Sequence, residues 1–271
     1  RGRLDSLAEP KVMGFLNGTP DSFYDGGKYD SDVAILSQAE KMITHGAAFI
    51  DVGGYSSRPG AEDVSVKEEM RRVTKAIKII NQKFPEAILS IDTFRSDVAK
   101  AAIDEGAAMI NDITGGEQDK SMFDVVAQLQ VPYILMHMRG NPKTMSRLTS
   151  YDNLLKDVTD YFHSKIKQLE RAGVKDIIID PGFGFAKTVE QNFTLLNSLD
   201  YLCILNKPIM VGISRKSTIW KTLNTTAEHA LNGTTSLNTI ALLKGANILR
   251  VHDVHEASEV CKLFSATVKA D

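Results

Sequence analysis

Each of a series of short apolar runs in this chain ends on polar groups: Asn17, Asp51, Asp92, Asn111 with Asp112, His137, Asp180, Ser214-Arg215-Lys216-Ser217, and Arg250 with His252. Asp92, Asn111 and Asp180, with Lys216 nearby, offer several acceptors and one amide. Such a set suits a flat heterocycle carrying an amino group, a ring N–H and a carbonyl, because buried carboxylates need partners that donate in pairs. Arg250, His252, Arg215 and Asn17 make a second set. Cations beside a Gly- and Ser-rich helix start suit a phosphate or diphosphate. The alternation Arg250-Val-His252 sends both polar side chains to the same face of a strand end. Plainer readings stand beside these. Asp and Asn also cap helices in strand-to-helix loops. Asp92 and Asp180 also read as structural carboxylates bonded to loop amides, and Lys216 as a solvated lysine. A lone His137 at an apolar strand end reads first as a satisfied core histidine.

The elements that must carry these groups alternate from one end of the chain to the other. Strands are expected at Val12–Leu16, Phe49–Val52, Ile88–Ile91, Met109–Ile110, Tyr133–Met136, Ile177–Ile179, Ile209–Val211 and Ile248–Val251. Their nearly continuous apolar character is that of strands buried on both faces. Between them the helical period appears at Ser31–Thr44, Val66–Lys83, Ser96–Glu105, Asp119–Gln128, Tyr151–Ala172, Val189–Leu199, Ala227–Lys244 and Val254–Val268. Gly46, Gly106, Gly173 and Gly245 stand just past helix ends, the usual place for a glycine stop. Strand–helix repetition over this length suits a closed parallel TIM (β/α)8 barrel better than an open doubly wound sheet. In that fold the strand ends and following loops build the active site, with phosphate groups favoured after the last two strands. The segment from Ser214 to Lys244 is long for one unit, so an extra short helix is expected after the seventh strand. The connections after the first two strands, Asn17 to Gly27 and Gly53 to Ala61, are long and glycine-rich and read as lids.

At 271 residues the chain is long for one ordinary domain and short for two, and no linker or repeat divides it, so a single domain over residues 1–271 is expected. A hydrophobic share of 43% argues for a packed core and against disorder. The net charge is −2 with mixed signs along the chain, which argues against a nucleic-acid partner. No stretch approaches the ~18 uninterrupted apolar residues of a membrane helix. Cys203 and Cys261 lack metal-site or disulfide spacing, so a reducing cytoplasm is the expected compartment. The opening Arg1-Gly-Arg-Leu-Asp reads as a trimmed start with no secretory signal.

Across nearly the whole chain the sequence resembles the dihydropteroate synthases. The resemblance runs through Leu16-Asn-Gly-Thr-Pro-Asp-Ser-Phe, Gly53-Gly-Tyr-Ser-Ser-Arg-Pro-Gly, Ser90-Ile-Asp-Thr-Phe, Ile110-Asn-Asp-Ile, Met136-His-Met-Arg, Asp180-Pro-Gly-Phe-Gly-Phe, Gly212-Ile-Ser-Arg-Lys-Ser and Arg250-Val-His-Asp-Val. It implies a barrel enzyme, a homodimer, that joins 4-aminobenzoate to 6-hydroxymethyl-7,8-dihydropterin diphosphate and is inhibited by sulfonamides. It assigns the pterin edge to Asp92, Asn111, Asp180 and Lys216, with Met136 and Phe185 beside the ring. It gives diphosphate to Arg250 and His252, aided by Mg²⁺ held in part by Asn17, and the aminobenzoate carboxylate to Ser217. Catalysis would rest on Asp92, Lys216, Arg250 and His252, and Phe23, Asp25, Ser57 and Arg58 would belong to the two lids. Gly18, Tyr55 and Ser57 depart from common family residues, which leaves the sulfonamide response open. Two relatives of this reaction remain as alternatives, a pterin-binding corrinoid-dependent methyltransferase and a pterin-binding protein without catalysis. A Schiff-base aldolase using Lys216 is a third, although it leaves the carboxylates without a purpose.

Overall fold

The computed structural model describes residues 7–17, 28–55, 64–141 and 143–270, with residue 17 and residues 28–31 described by backbone alone. Among the described residues the strands are β1 (Lys11–Asn17), β2 (Phe49–Gly53), β3 (Ile88–Asp92), β4 (Met109–Asp112), β5 (Tyr133–Met136), β6 (Ile177–Asp180), β7 (Met210–Val211) and β8 (Ile248–Val251). All pairings are parallel, in the order β6-β5-β4-β3-β2-β1-β8-β7. A parallel bridge between Ile179 and Ile209 joins the two ends of that order and closes the barrel. The helices are α1 (Lys28–Thr44), α2 (Val66–Lys83), α3 (Ser96–Asp104), α4 (Met122–Leu129), α5 (Leu154–Arg171), α6 (Val189–Asn197), α7 (Ser217–Thr222), α8 (Leu231–Leu243) and α9 (Val254–Val268). The short α7 is the extra helix expected after the seventh strand.

Three boundaries differ from the periodicity for identifiable reasons. α4 begins at Met122 because Asp119 is engaged outside the helix, accepting from the Ser96 amide at 2.7 Å and the Ser121 amide at 2.9 Å. α8 begins at Leu231 because the preceding turn offers the Ala227 and Glu228 carbonyls to Arg215. After α6 the chain tightens into a 3₁₀ segment, Leu199–Leu205, which apolar spacing alone does not distinguish from a longer α-helix. Caps set two further starts. Thr188 and Gln191 form a reciprocal capping box at the start of α6, and Asn153 caps α5, which therefore begins at Leu154 and not at the expected Tyr151.

The interior of the barrel is layered by the two-residue period of its strands. Met13, Phe49, Met109, Ile134, Ile178, Met210 and Ile248 form an apolar cluster of their own, with Ile88 packed against it. Two residues further along each strand come Phe15, Asp51, Ser90, Asn111, Met136, Asp180, Gly212 and Arg250. A dry floor therefore lies directly beneath a mostly polar tier. The alternate residues, including Val12, Leu16, Ile50, Val52, Leu89, Ile91, Ile110 and Leu135, join the larger core between strands and helices. Asp112 falls in this outward phase. Its carboxylate accepts from the Thr114 amide, the Thr114 hydroxyl, the Gly116 amide and the Tyr133 hydroxyl, all at 2.7 to 2.8 Å, so it locks the turn after β4 and faces away from the mouth.

Truncating Ile134 in the floor to Ala is expected to lower the unfolding free energy by about 2–5 kcal/mol through lost burial and a residual cavity. Denaturant titration of the two proteins measures this, and a negligible shift would contradict a close-packed floor.

Candidate active site

The polar tier centres on Arg250. Its Nε donates to Asp51 Oδ2 at 2.7 Å and its Nη2 to Asp92 Oδ2 at 2.6 Å, while its Cζ lies 4.2 Å from the centre of the Phe15 ring. Asp51 also accepts from Asn111 Nδ2 at 2.8 Å. One guanidinium thus ties β2, β3 and β8 across the barrel axis, and β4 joins them through Asn111. Burial works against the Arg250 charge, but Asp51 and Asp92 outweigh it and hold its pKa above the ordinary value. Burial pushes the Asp92 carboxyl up to about 7 despite Arg250 beside it, with Asp51 and Glu69 adding to the rise. Among the described residues, Asp51 Oδ1, Ser90 Oγ and Asn111 Oδ1 are buried without a hydrogen-bond partner. Polar atoms left in this state favour a ligand that supplies the missing hydrogen bonds.

Asp180 and Lys216 face the same space. A Cβ placed on Gly212 would lie 3.9 Å from Asp180 Oδ2, 3.9 Å from Lys216 Nζ and 4.0 Å from Arg250 Cβ. The three charged side chains therefore surround a position that glycine leaves open. On the opposite wall a Cβ on Gly53 would lie 3.4 Å from the Phe15 ring and 3.8 Å from Asp92 Oδ2. Asp180 Oδ1 is held by the Gly182 amide at 2.8 Å. Burial raises the Asp180 pKa, opposed by Lys216. Lys216 donates to the Phe183 carbonyl, and its Nζ lies 4.6 Å from the centre of the Phe185 ring. Burial lowers its pKa to about 8, opposed by Asp180. Met136 shares a small apolar cluster with Ile113, Met138, Met145 and Ala186, and Phe185 packs against it.

The division of the polar groups into a carboxylate half and a cationic half is not kept. Arg250 belongs to the carboxylates, for the reason just given: two buried anions need it. Arg215 is committed elsewhere, bidentate to Asp253 at 2.8 Å on each oxygen. His252 is exposed at the rim, with Nδ1 3.1 Å from the buried Ser214 Oγ and its ring edge-on to Phe15 at 5.9 Å. Ser217 is the first residue of α7. Asn17 ends β1 in register with Gly53, which is itself paired with Asp92. Gly18, Phe23, Asp25, Ser57 and Arg58 lie outside the described residues. Tyr55 packs edge-on to Phe94 at 5.3 Å, with the Arg95 guanidinium 5.5 Å from its ring centre. His137 faces the helices, packed on Tyr151, Tyr161 and Phe162, as its reading as a core histidine implies.

Residues 13–252 match the family described as pterin binding enzyme. The dihydropteroate synthase of Synechocystis is 45% identical over 94% of this chain and 89% of its own length. The chain belongs to the dihydropteroate synthases. Among solved structures, the Yersinia pestis dihydropteroate synthase with a sulfonamide drug superimposes with a TM-score of 0.93 at 39% identity, covering 99% of this chain and 98% of the other. The Xanthomonas albilineans dihydropteroate synthase in complex with 7,8-dihydropteroate superimposes with a TM-score of 0.88 at 35% identity, covering 98% and 96%.

For a dihydropteroate synthase the residue whose role the sequence leaves unassigned is Asp51. It stands among the polar strand ends but falls in neither the carboxylate nor the cationic set. Strand alternation gives it a place, since Phe49, Asp51 and Gly53 share one face and Arg250 shares that tier. Replacing Arg250 with Met removes the cation from the buried Asp51 and the largely buried Asp92 and is expected to cost about 3–5 kcal/mol of stability near pH 8. The deficit should shrink as the pH falls. Asp92 has a folded-state pKa raised to about 7, and loss of Arg250 raises it further, so protonation below that value favours the folded state until the unfolded-state pKa is reached. Denaturant midpoints across pH 5 to 8, roughly the window between those values, measure this. A deficit independent of pH would contradict it.

Proposed function

We propose that residues 1–271 form one pterin-binding barrel domain that joins 6-hydroxymethyl-7,8-dihydropterin diphosphate to 4-aminobenzoate, releasing diphosphate and 7,8-dihydropteroate in folate biosynthesis. The observation that carries this reading is the convergence of Asp92, Asn111, Asp180 and Lys216 on one mouth above a dry floor. In this reading the amino group and ring N–H of the pterin donate to the carboxylates, and the buried Asn111 Oδ1 and Asp51 Oδ1 gain the donors they lack within the described protein. Lys216 donates to the ring side bearing the carbonyl. Met136 and Phe185 cover the flat face.

The bond between the pterin methylene carbon and the diphosphate oxygen breaks first, and its electron pair leaves with diphosphate. The methylene cation is conjugated with the electron-rich ring, and the Asp92 carboxylate stabilises it across a largely buried site, where charge–charge interactions are stronger than in water. The 4-aminobenzoate nitrogen then forms the new C–N bond and gives up a proton. Ser217 at the start of α7 meets the aminobenzoate carboxylate. Phe23, Asp25, Ser57 and Arg58 complete that second pocket and exclude water. His252 at the rim, with Arg250 beneath it, offsets the charge that develops on the leaving diphosphate.

Mg²⁺ belongs to this reading, and Asn17 at the end of β1 would help to hold it. Among the described residues no group of three or more His, Cys, Asp or Glu could hold a metal. A hard ion there would take most of its oxygen ligands from phosphate and water, with Asn17 as the protein's contribution. When bound, such an ion neutralises diphosphate charge. We also place the enzyme in the cytoplasm, in keeping with two free cysteines, and as a homodimer, for which exposed Ile240 and Leu243 on α8 and Leu263 on α9 offer apolar surface.

Diphosphate release should require both substrates, fall on chelation of Mg²⁺, and yield dihydropteroate. Asp92→Asn should lower the turnover number by about a hundredfold or more while leaving cooperative unfolding intact. An unchanged turnover number in that variant would remove Asp92 from its role, and pterin binding with no diphosphate release by the wild type would reduce the chain to a binding protein.

A further inference from the structure

Lys187 is a buried ammonium that the chemistry above does not use. It stands at the end of the loop after β6, the same loop that carries Asp180, Phe183 and Phe185. Its Nζ reaches three groups at 3.0 Å each: His137 Nδ1, the Gly182 carbonyl and the Phe185 carbonyl. No carboxylate among the described residues bonds to it. Burial pushes its pKa down to about 7 and Asp180 opposes that fall, so the two residues sense one another without touching. His137, 2% exposed, is kept neutral by burial and by the Lys187 charge, which leaves Nδ1 free to accept.

The loop needs such a clamp. Gly182, Gly184 and Ala186 all have positive φ, at 70°, 79° and 51°. For Ala186 this is a strained conformation that persists only where surroundings over-determine it. A Cβ on Gly182 would lie 2.1 Å from the His137 carbonyl oxygen, so the loop is pressed directly onto the strand end that carries His137. Within the loop the Phe185 amide donates to the Gly182 carbonyl at 3.1 Å, the Gly184 amide is held by Asn192 Oδ1 at 2.7 Å, and Tyr151 donates to the Ala186 carbonyl at 3.0 Å. What the loop delivers to the mouth is an amide for Asp180, a carbonyl for Lys216 and a ring at Phe185.

We propose that Lys187 is a positioning residue for the pterin pocket: seated on His137 and on two carbonyls of the loop after β6, it holds that loop in the one shape that aims Asp180, Phe185 and Lys216 at the heterocycle. The proposal rests on the pterin reading of the mouth and assigns Lys187 no contact with substrate. A buried ammonium is a costly way to fill space, and an apolar side chain would pack there more cheaply. Its three oriented hydrogen bonds specify a loop shape that packing alone would not.

The test compares wild type with Lys187→Met, His137→Asn and His137→Leu, measuring both KM values, kcat, and calorimetric binding of 6-hydroxymethylpterin. Lys187→Met should weaken pterin binding and raise the pterin diphosphate KM by about tenfold, the scale of one lost charge-assisted hydrogen bond, with kcat and the aminobenzoate KM within about twofold of wild type. His137→Asn keeps an acceptor and should stay near wild type, whereas His137→Leu should follow Lys187→Met. Folded Lys187→Met with wild-type pterin affinity overturns the proposal. Should that variant not fold, equal pterin affinity in the two His137 variants overturns it instead. Wild-type turnover separates the two levels: a wild type that binds pterin without making dihydropteroate defeats the functional reading, while the affinity comparison still judges Lys187.

Discussion

A guanidinium held between two carboxylates inside a closed barrel is the constraint from which the rest of this molecule follows. Asp51 and Asp92 could not be left ionised among strands without a cation, and Arg250 could not be left there without anions. Because Arg250 spends Nε on one and Nη2 on the other, the pair of bonds also sets how β2, β3 and β8 stand across the axis. The arrangement is expensive as a stability device, since apolar residues of similar volume would serve as well or better. What it provides is a set of acceptors in fixed places, with one carboxyl poised near neutrality.

The apolar floor makes that arrangement possible. Met13, Phe49, Ile134, Ile178, Met210 and Ile248 close the barrel from below, so the polar tier communicates with solvent from one end. Glycines at 53 and 212 supply the room: a Cβ at either would already stand in van der Waals contact with Asp92 or with the Asp180–Lys216 pair, so a longer side chain would fill the mouth. Floor, polar tier and open mouth are successive inward positions of the same strands. The geometry of binding is thus a direct consequence of strand periodicity.

That periodicity is also why so much is legible in the sequence. Short apolar strands ending on Asp92, Asn111, Asp180 and Arg250 declare both the barrel and the end that matters, and the motifs around them declare the family. The grouping of those residues was less legible. Arg250 and Arg215 look alike as cations near strand ends, yet one is drawn inward by two carboxylates and the other outward by Asp253. Asn111 and Asp112 are adjacent and face opposite sides of one strand, so Asp112 serves a turn. The clamp made by Lys187 and His137 joins residues fifty positions apart and appears only once the loop after β6 folds back on β5. Pairings of this kind depend on tertiary approach, which propensity and spacing do not encode.

The central claim is that Asp92 sits in the barrel mouth as a carboxyl balanced between burial and Arg250, ready to accept donors from a heterocycle. Carbon-13 NMR of labelled aspartate side chains measures this directly. One resonance, absent in Asp92→Asn, should titrate with a midpoint of about 7 in the free protein and move to lower pH when a pterin is added, because N–H donors favour the ionised form. A midpoint in the ordinary carboxylate range, or one indifferent to pterin, would contradict the account.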